Sequence, residues 1–102
     1  MDERRKSKRA DVQLPARWES LAGVHEGTVS NISTGGCFVQ SSDKVAVWDP
    51  IKVEIQLPTE RWIYLWGVVV HRVPDSGFAI RFTVFDDKEQ TMLTLLIDYV
   101  GE

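Results

Sequence analysis

Apolar side chains occupy every second position from Val12 through Leu14, Ala16 and Trp18, with Asp11, Gln13, Arg17 and Glu19 falling among them. A strand shows its side chains alternately to two faces, so this period of two predicts a half-buried β-strand. The same alternation returns in Ile51, Val53, Ile55 and Leu57 against Lys52, Glu54 and Gln56, and again in Phe78, Ile80, Phe82 and Val84 against Ala79, Arg81 and Thr83. Two shorter runs fit between the first pair. Gly23 and Gly27 bracket one that continues through Thr28 to Ile32, and Ser33-Thr34-Gly35-Gly36 forms a turn before the other, Cys37 to Gln40. From Trp62 to Val73 nearly every residue is apolar, which predicts a strand covered on both faces.

The pattern changes near the C-terminus. Met92, Leu95, Leu96, Tyr99 and Val100 stand at i, i+3, i+4, i+7 and i+8, one stripe of an amphipathic helix. Asp86 is placed to cap its start with Glu89 three residues on, and Gly101 to close its end. This helix is the expected cover for the second face of the Trp62–Val73 strand. Six short strands and one terminal helix predict a mainly all-β fold, a six-stranded antiparallel β-barrel with a C-terminal α-helix. The expected organisation is one domain: a basic segment over residues 1–10, the barrel over 11–85 and the helix over 86–102.

Composition narrows the classes without changing that picture. At 102 residues, 43% hydrophobic and 26% charged, the chain has the make-up of one soluble globular domain. No apolar run approaches the roughly 18 residues of a membrane span and no apolar signal segment follows the first charges, so a cytoplasmic location is expected. Cys37 is the sole cysteine, and with His25 and His71 it gives no zinc-ligand spacing. His25, in a hairpin or loop, and His71, at a strand end, are read as surface or packing residues, and Cys37 as packing. No nucleophile with its base and no carboxylate pair stands out, so no enzyme, metal or resident cofactor is expected.

Charge is distributed unevenly. Arg4, Arg5, Lys6, Lys8 and Arg9 face only Asp2 and Glu3 within the first nine residues, about +3; the remaining seven basic and thirteen acidic residues leave the body at −6. Such a body argues against a DNA-binding coat and directs any anion to the N-terminus. Alone, Arg4-Arg5-Lys6-Ser7-Lys8-Arg9 reads as a solvated tail, and Asn31-Ile32-Ser33-Thr34-Gly35-Gly36 as an ordinary turn. Together they supply complementary halves of a guanine nucleotide site. Arginine forks match O6 and N7 of guanine and pair with phosphate oxygens, tasks that fit Arg5 and Arg9. The Asn31 carbonyl and Ser33 hydroxyl can accept from N1–H and N2–H₂, and Gly36 would let the backbone come close.

Arg5-x-x-x-Arg9 followed by Asn31-x-Ser33-x-x-Gly36 at a strand-to-strand turn resembles the paired signature of PilZ domains, receptors for bacterial cyclic di-GMP. The resemblance runs over the whole chain, including the long apolar fifth strand, Ser76-Gly77-Phe78-Ala79-Ile80-Arg81-Phe82 and the closing helix. It implies ligand contacts from Arg5, Arg9, Asn31, Ser33 and Gly36, with Asn31 in place of the commoner Asp. Arg4 extends the first motif to Arg-Arg-x-x-x-Arg, which in this family implies an intercalated pair of ligand molecules. A receptor of this kind is expected to fold its basic segment over the dinucleotide as the charges are neutralised, and to signal to a downstream protein partner. Trp48, Trp62 and Trp66 are the candidate contacts if exposed, for a partner or a ligand-dependent homodimer, although aromatics in a small barrel more often pack its core. The competing function is a small barrel that binds single-stranded nucleic acid, with the same basic segment and the tryptophans as stacking platforms.

Overall fold

The computed structural model describes residues 9–21, 23–42, 44–84 and 87–100. Six strands precede one helix: β1 (Arg9–Ser20), β2 (Gly23–Ser33), β3 (Gly36–Gln40), β4 (Pro50–Gln56), β5 (Trp62–Val73), β6 (Gly77–Val84) and α1 (Asp87–Val100). All neighbouring strands are antiparallel, and the sheet closes on itself in the order β1-β2-β3-β6-β5-β4. Closure joins β1 to β4 through pairs from Ala16 with Ile55 to Glu19 with Lys52. It gives each of the six strands a paired neighbour on either side.

The alternating pattern sorts the side chains. Val12, Leu14, Ala16 and Trp18 of β1 point inward with Ile51, Val53 and Ile55 of β4 and Phe78, Ile80 and Phe82 of β6, and all are buried. Trp18 lies at the centre of this core, its ring 5.2 Å from Phe78 edge to face and 5.5 Å from His25, with which it stacks. Trp18 and His25 are directly paired in the β1–β2 hairpin, which extends further than its sequence pattern shows: β2 starts at Gly23, and Gly27 lies within the strand. A Cβ at Gly27 would stand 2.9 Å from the Trp18 ring and 2.7 Å from the Gln40 carbonyl oxygen, so this glycine makes room for the tryptophan. At the other end β1 begins at Arg9, before the alternation becomes visible.

Two expectations about covering are corrected. The β5 strand alternates after all: Ile63, Leu65 and Val69 are buried while Tyr64 and Trp66 are half exposed. Its outer aromatics are partly shielded by cations from β1 and β4 and not by the helix. The Arg17 guanidinium sits 3.9 Å from the centre of the Trp62 ring and 2.8 Å from a Glu54 carboxylate oxygen, and Lys52 Nζ lies 5.4 Å from the Tyr64 ring.

The helix instead packs against β1, β2 and β5. It buries Leu93, Leu96 and Ile97, with Met92 half buried, while Leu95 and Tyr99 of the anticipated stripe are 59% and 72% exposed. Apolar residues at 93, 96 and 97 form a second stripe one position round the helix, and tertiary contact selects it. Asp87 and Glu89 in its first turn complement the helix dipole; Asp86 and Gly101, read as its caps, lie outside the described residues.

Candidate functional site

Antiparallel closure places the start of β1, the β2–β3 turn and the end of β6 at one end of the barrel. On the outer surface there, a cleft of about 340 Å³ is lined by Asn31, Ser33, Gly35 and Gly36 of the turn region, Phe38 of β3, Val70 of β5, and Ala79 and Arg81 of β6. Three residues expected in the site therefore share one cleft. Arg9 is the cross-strand partner of Ser33, and Asp11 of Asn31, so the backbone that carries the end of the basic segment runs alongside the turn. Arg4 and Arg5 lie outside the described residues, as does the side chain of Arg9.

The turn is held by its own serine. The Gly35 N–H donates to Ser33 Oγ at 3.1 Å, and the hydroxyl donates to the Gly36 carbonyl oxygen over a longer 3.4 Å. One acceptor position on Ser33 Oγ remains for a ligand N–H. Asn31 is half buried beside it and lines the same cleft.

Gly36 has a role that the motif alone does not reveal. It pairs with Arg81, and a Cβ built on it would collide with the carbonyl oxygen of Ile80. The close approach that demands glycine here is that of β6, the barrel's own backbone.

Phe38, Val70 and Ala79 are half buried and give the cleft an apolar floor, while Arg81 is exposed at its β6 side. Among the described residues lining this cleft Arg81 is the one charged residue, in a body of net negative charge. These four escaped the sequence reading because a pairing of β3 with β6, about forty residues apart, leaves no local signature; the outward parity of Ala79 and Arg81 was the available signal. Cys37, next to Gly36, points inward and is buried, and desolvation pushes its thiol up from 9.0 to about 12. It is a packing group, as expected.

Trp48 is 65% and Trp66 50% exposed, with Trp62 half buried under Arg17, so of the four tryptophans only Trp18 is a core residue. Trp48 also takes a positive φ of 79° in the loop leading to β4. His71 is exposed near the end of β5. Among the described residues no group of His, Cys, Asp and Glu could hold a metal ion, and no helix is long and apolar enough to cross a membrane.

The profile of a family described as PilZ domain matches residues 3–101. No curated protein sequence matches the chain. Among solved structures, the Bacillus subtilis inhibitor of motility (MotI/DgrA) superposes with a TM-score of 0.83 at 21% identity, over 96% of this chain and 51% of the other. The PilZ domain with c-di-GMP of YcgR from Escherichia coli gives 0.77 at 11% identity, over 97% and 92%. The K. pneumonia MrkH–c-di-GMP complex gives 0.77 at 18%, over 100% and 54%. At these identities the likeness is one of fold. The chain spans about half the length of the Bacillus subtilis protein.

Proposed function

Since this chain belongs to the PilZ domain family, we propose that it is a receptor for the bacterial second messenger cyclic di-GMP. The observation that carries this reading is the register that sets Arg9 opposite Ser33, bringing the end of Arg5-x-x-x-Arg9 to the cleft formed by Asn31 and Ser33. Family neighbours that hold c-di-GMP, the YcgR domain and the MrkH complex, share the barrel and support it further. In this reading Asn31 and Ser33 accept from N1–H and N2–H₂ of a guanine lying on the apolar floor. Arg5 and Arg9 supply forks for O6 and N7 and for phosphate. Arg4 assists an intercalated second ligand, and Gly36 acts by allowing β3 and β6 to approach.

The basic N-terminal segment closes over the messenger as its charges are neutralised, and the ordered segment is the signal that a downstream protein reads. Ordering costs on the order of 1 to 2 kcal/mol per residue, so charge-assisted hydrogen bonds and stacking must exceed it. Isothermal titration with cyclic di-GMP tests the reading. Arg9→Ala and Asn31→Ala/Ser33→Ala each weaken binding at least tenfold, and in Arg9→Ala the thermal midpoint without ligand stays within about two degrees; wild-type affinity in either variant defeats the assignment. An excess of single-stranded DNA that displaces the messenger would favour the competing nucleic-acid reading.

A further inference from the structure

We infer that Arg81 binds the second phosphodiester of the ligand, from the side of the cleft opposite Arg9, and thereby selects a cyclic dinucleotide over a mononucleotide. The inference rests on the receptor reading above and extends it to a residue outside both motifs.

Register carries the argument. Arg9 of β1 pairs with Ser33 of β2, the turn leads from Ser33 to Gly36 of β3, and Gly36 pairs with Arg81 of β6. Arg9 and Arg81 thus stand at the two ends of one four-strand row, their backbones separated by three strand spacings, roughly 14 Å before the barrel's curvature shortens it. Gly36, between them, has no side chain to block the row. Phe38 and Ala79 fill the next row as half-buried apolar groups, a floor on which a purine can lie.

A guanine held at its N1–N2 edge by Asn31 and Ser33 projects across that floor toward β6. A cyclic dinucleotide carries two phosphodiesters on opposite sides of its ring. With one met from the β1 side, the other faces β6, where exposed Arg81 is the single charged residue among the described residues lining the cleft. Among the described residues lining the cleft there is no other cation, so without Arg81 a phosphate on this side would face a body of net negative charge. Charge-assisted contact with phosphate is the task arginine and, as a point charge, lysine both perform.

Calorimetric titration of the wild-type chain, Arg81→Ala and Arg81→Lys with cyclic di-GMP is the test, alongside a chemical-shift titration with 3′,5′-cyclic GMP, which offers one guanine and one phosphodiester. Arg81→Ala is expected to weaken cyclic di-GMP binding about tenfold while changing the affinity for 3′,5′-cyclic GMP less than about twofold, and Arg81→Lys to stay within about threefold of wild type for both. Because Arg81 is exposed, the thermal midpoint without ligand should not move. Wild-type affinity for cyclic di-GMP in Arg81→Ala, or equal losses for the two ligands, overturns the assignment. A wild-type chain that takes no cyclic di-GMP removes the receptor reading itself, and the role of Arg81 falls with it.

Discussion

Gly36 and Cys37 are neighbours with opposite demands, and each has a consequence that binding data alone would misread. At Gly36 the obstacle to a side chain is the Ile80 carbonyl of β6, so Gly36→Ala should destabilise the empty barrel by about 1 to 3 kcal/mol, the cost of forcing atoms into a packed interior. Thermal unfolding without ligand checks this: a drop of several degrees identifies a structural glycine, and an unchanged midpoint with lost binding would return Gly36 to the ligand. Cys37 is buried with its thiol pushed up to about 12 from 9.0. The folded state holds that proton more tightly than the unfolded chain does. Its contribution to stability is therefore complete below pH 9 and is lost as pH rises from 9 toward 12. Between pH 8 and 10.5 the wild type should lose more of its thermal midpoint than Cys37→Ala; parallel losses would show that other groups govern the alkaline transition. Asn31 and Ser33 were legible in the sequence because a turn keeps them together along the chain. Arg81 was not, because what makes it a neighbour of Gly36 is a strand pairing between distant segments.

At the scale of elements, period identifies type more securely than orientation. The period of two located the strands, since each presents one face to a single core, and β5 was bounded at Trp62 and Val73 as the structure has it. Apolar content misled where it was highest. The outer aromatics of β5 meet water and the cations Arg17 and Lys52, a cover that no hydrophobic count registers. In α1 two apolar stripes overlap, and only contact with β1, β2 and β5 decides between them. Leu93→Ala should cost about 2 to 5 kcal/mol through the cavity it leaves, whereas Leu95→Ala should change stability by less than about 0.5 kcal/mol. Urea unfolding of the two variants checks the roll of the helix. Equal effects would place Leu95 in the core after all.

Considered as a whole, the barrel has two differently built sides. The cleft occupies the β2–β3–β6 side, while Trp66 and Tyr64, with Lys52, Glu54, Arg17 and Glu19 beside them, occupy the β5–β4–β1 side. One strand belongs to both: Val70 of β5 lines the cleft and Trp66, four residues back, is half exposed on the aromatic side. Between them the β5–β6 ladder slips at Trp66/Gly67 and again at Val69/His71, and such irregularities bend a strand and re-aim its side chains. A Cβ at Gly67 would stand 2.5 Å from the Arg81 carbonyl oxygen, so the strand that displays the tryptophan is packed directly on the strand that displays the proposed phosphate ligand. A ligand seated on Val70 and Arg81 would rest on β5 next to these bends. If the chain self-associates through that side, the expected outcome is a ligand-dependent dimer in sedimentation velocity at tens of micromolar chain. Trp66→Glu should then abolish the dimer and leave cyclic di-GMP affinity within about twofold of wild type, because Trp66 does not line the cleft. A wild-type chain that sediments as a monomer with and without the messenger removes self-association. Loss of messenger affinity in Trp66→Glu would instead show that the two sides are not separable.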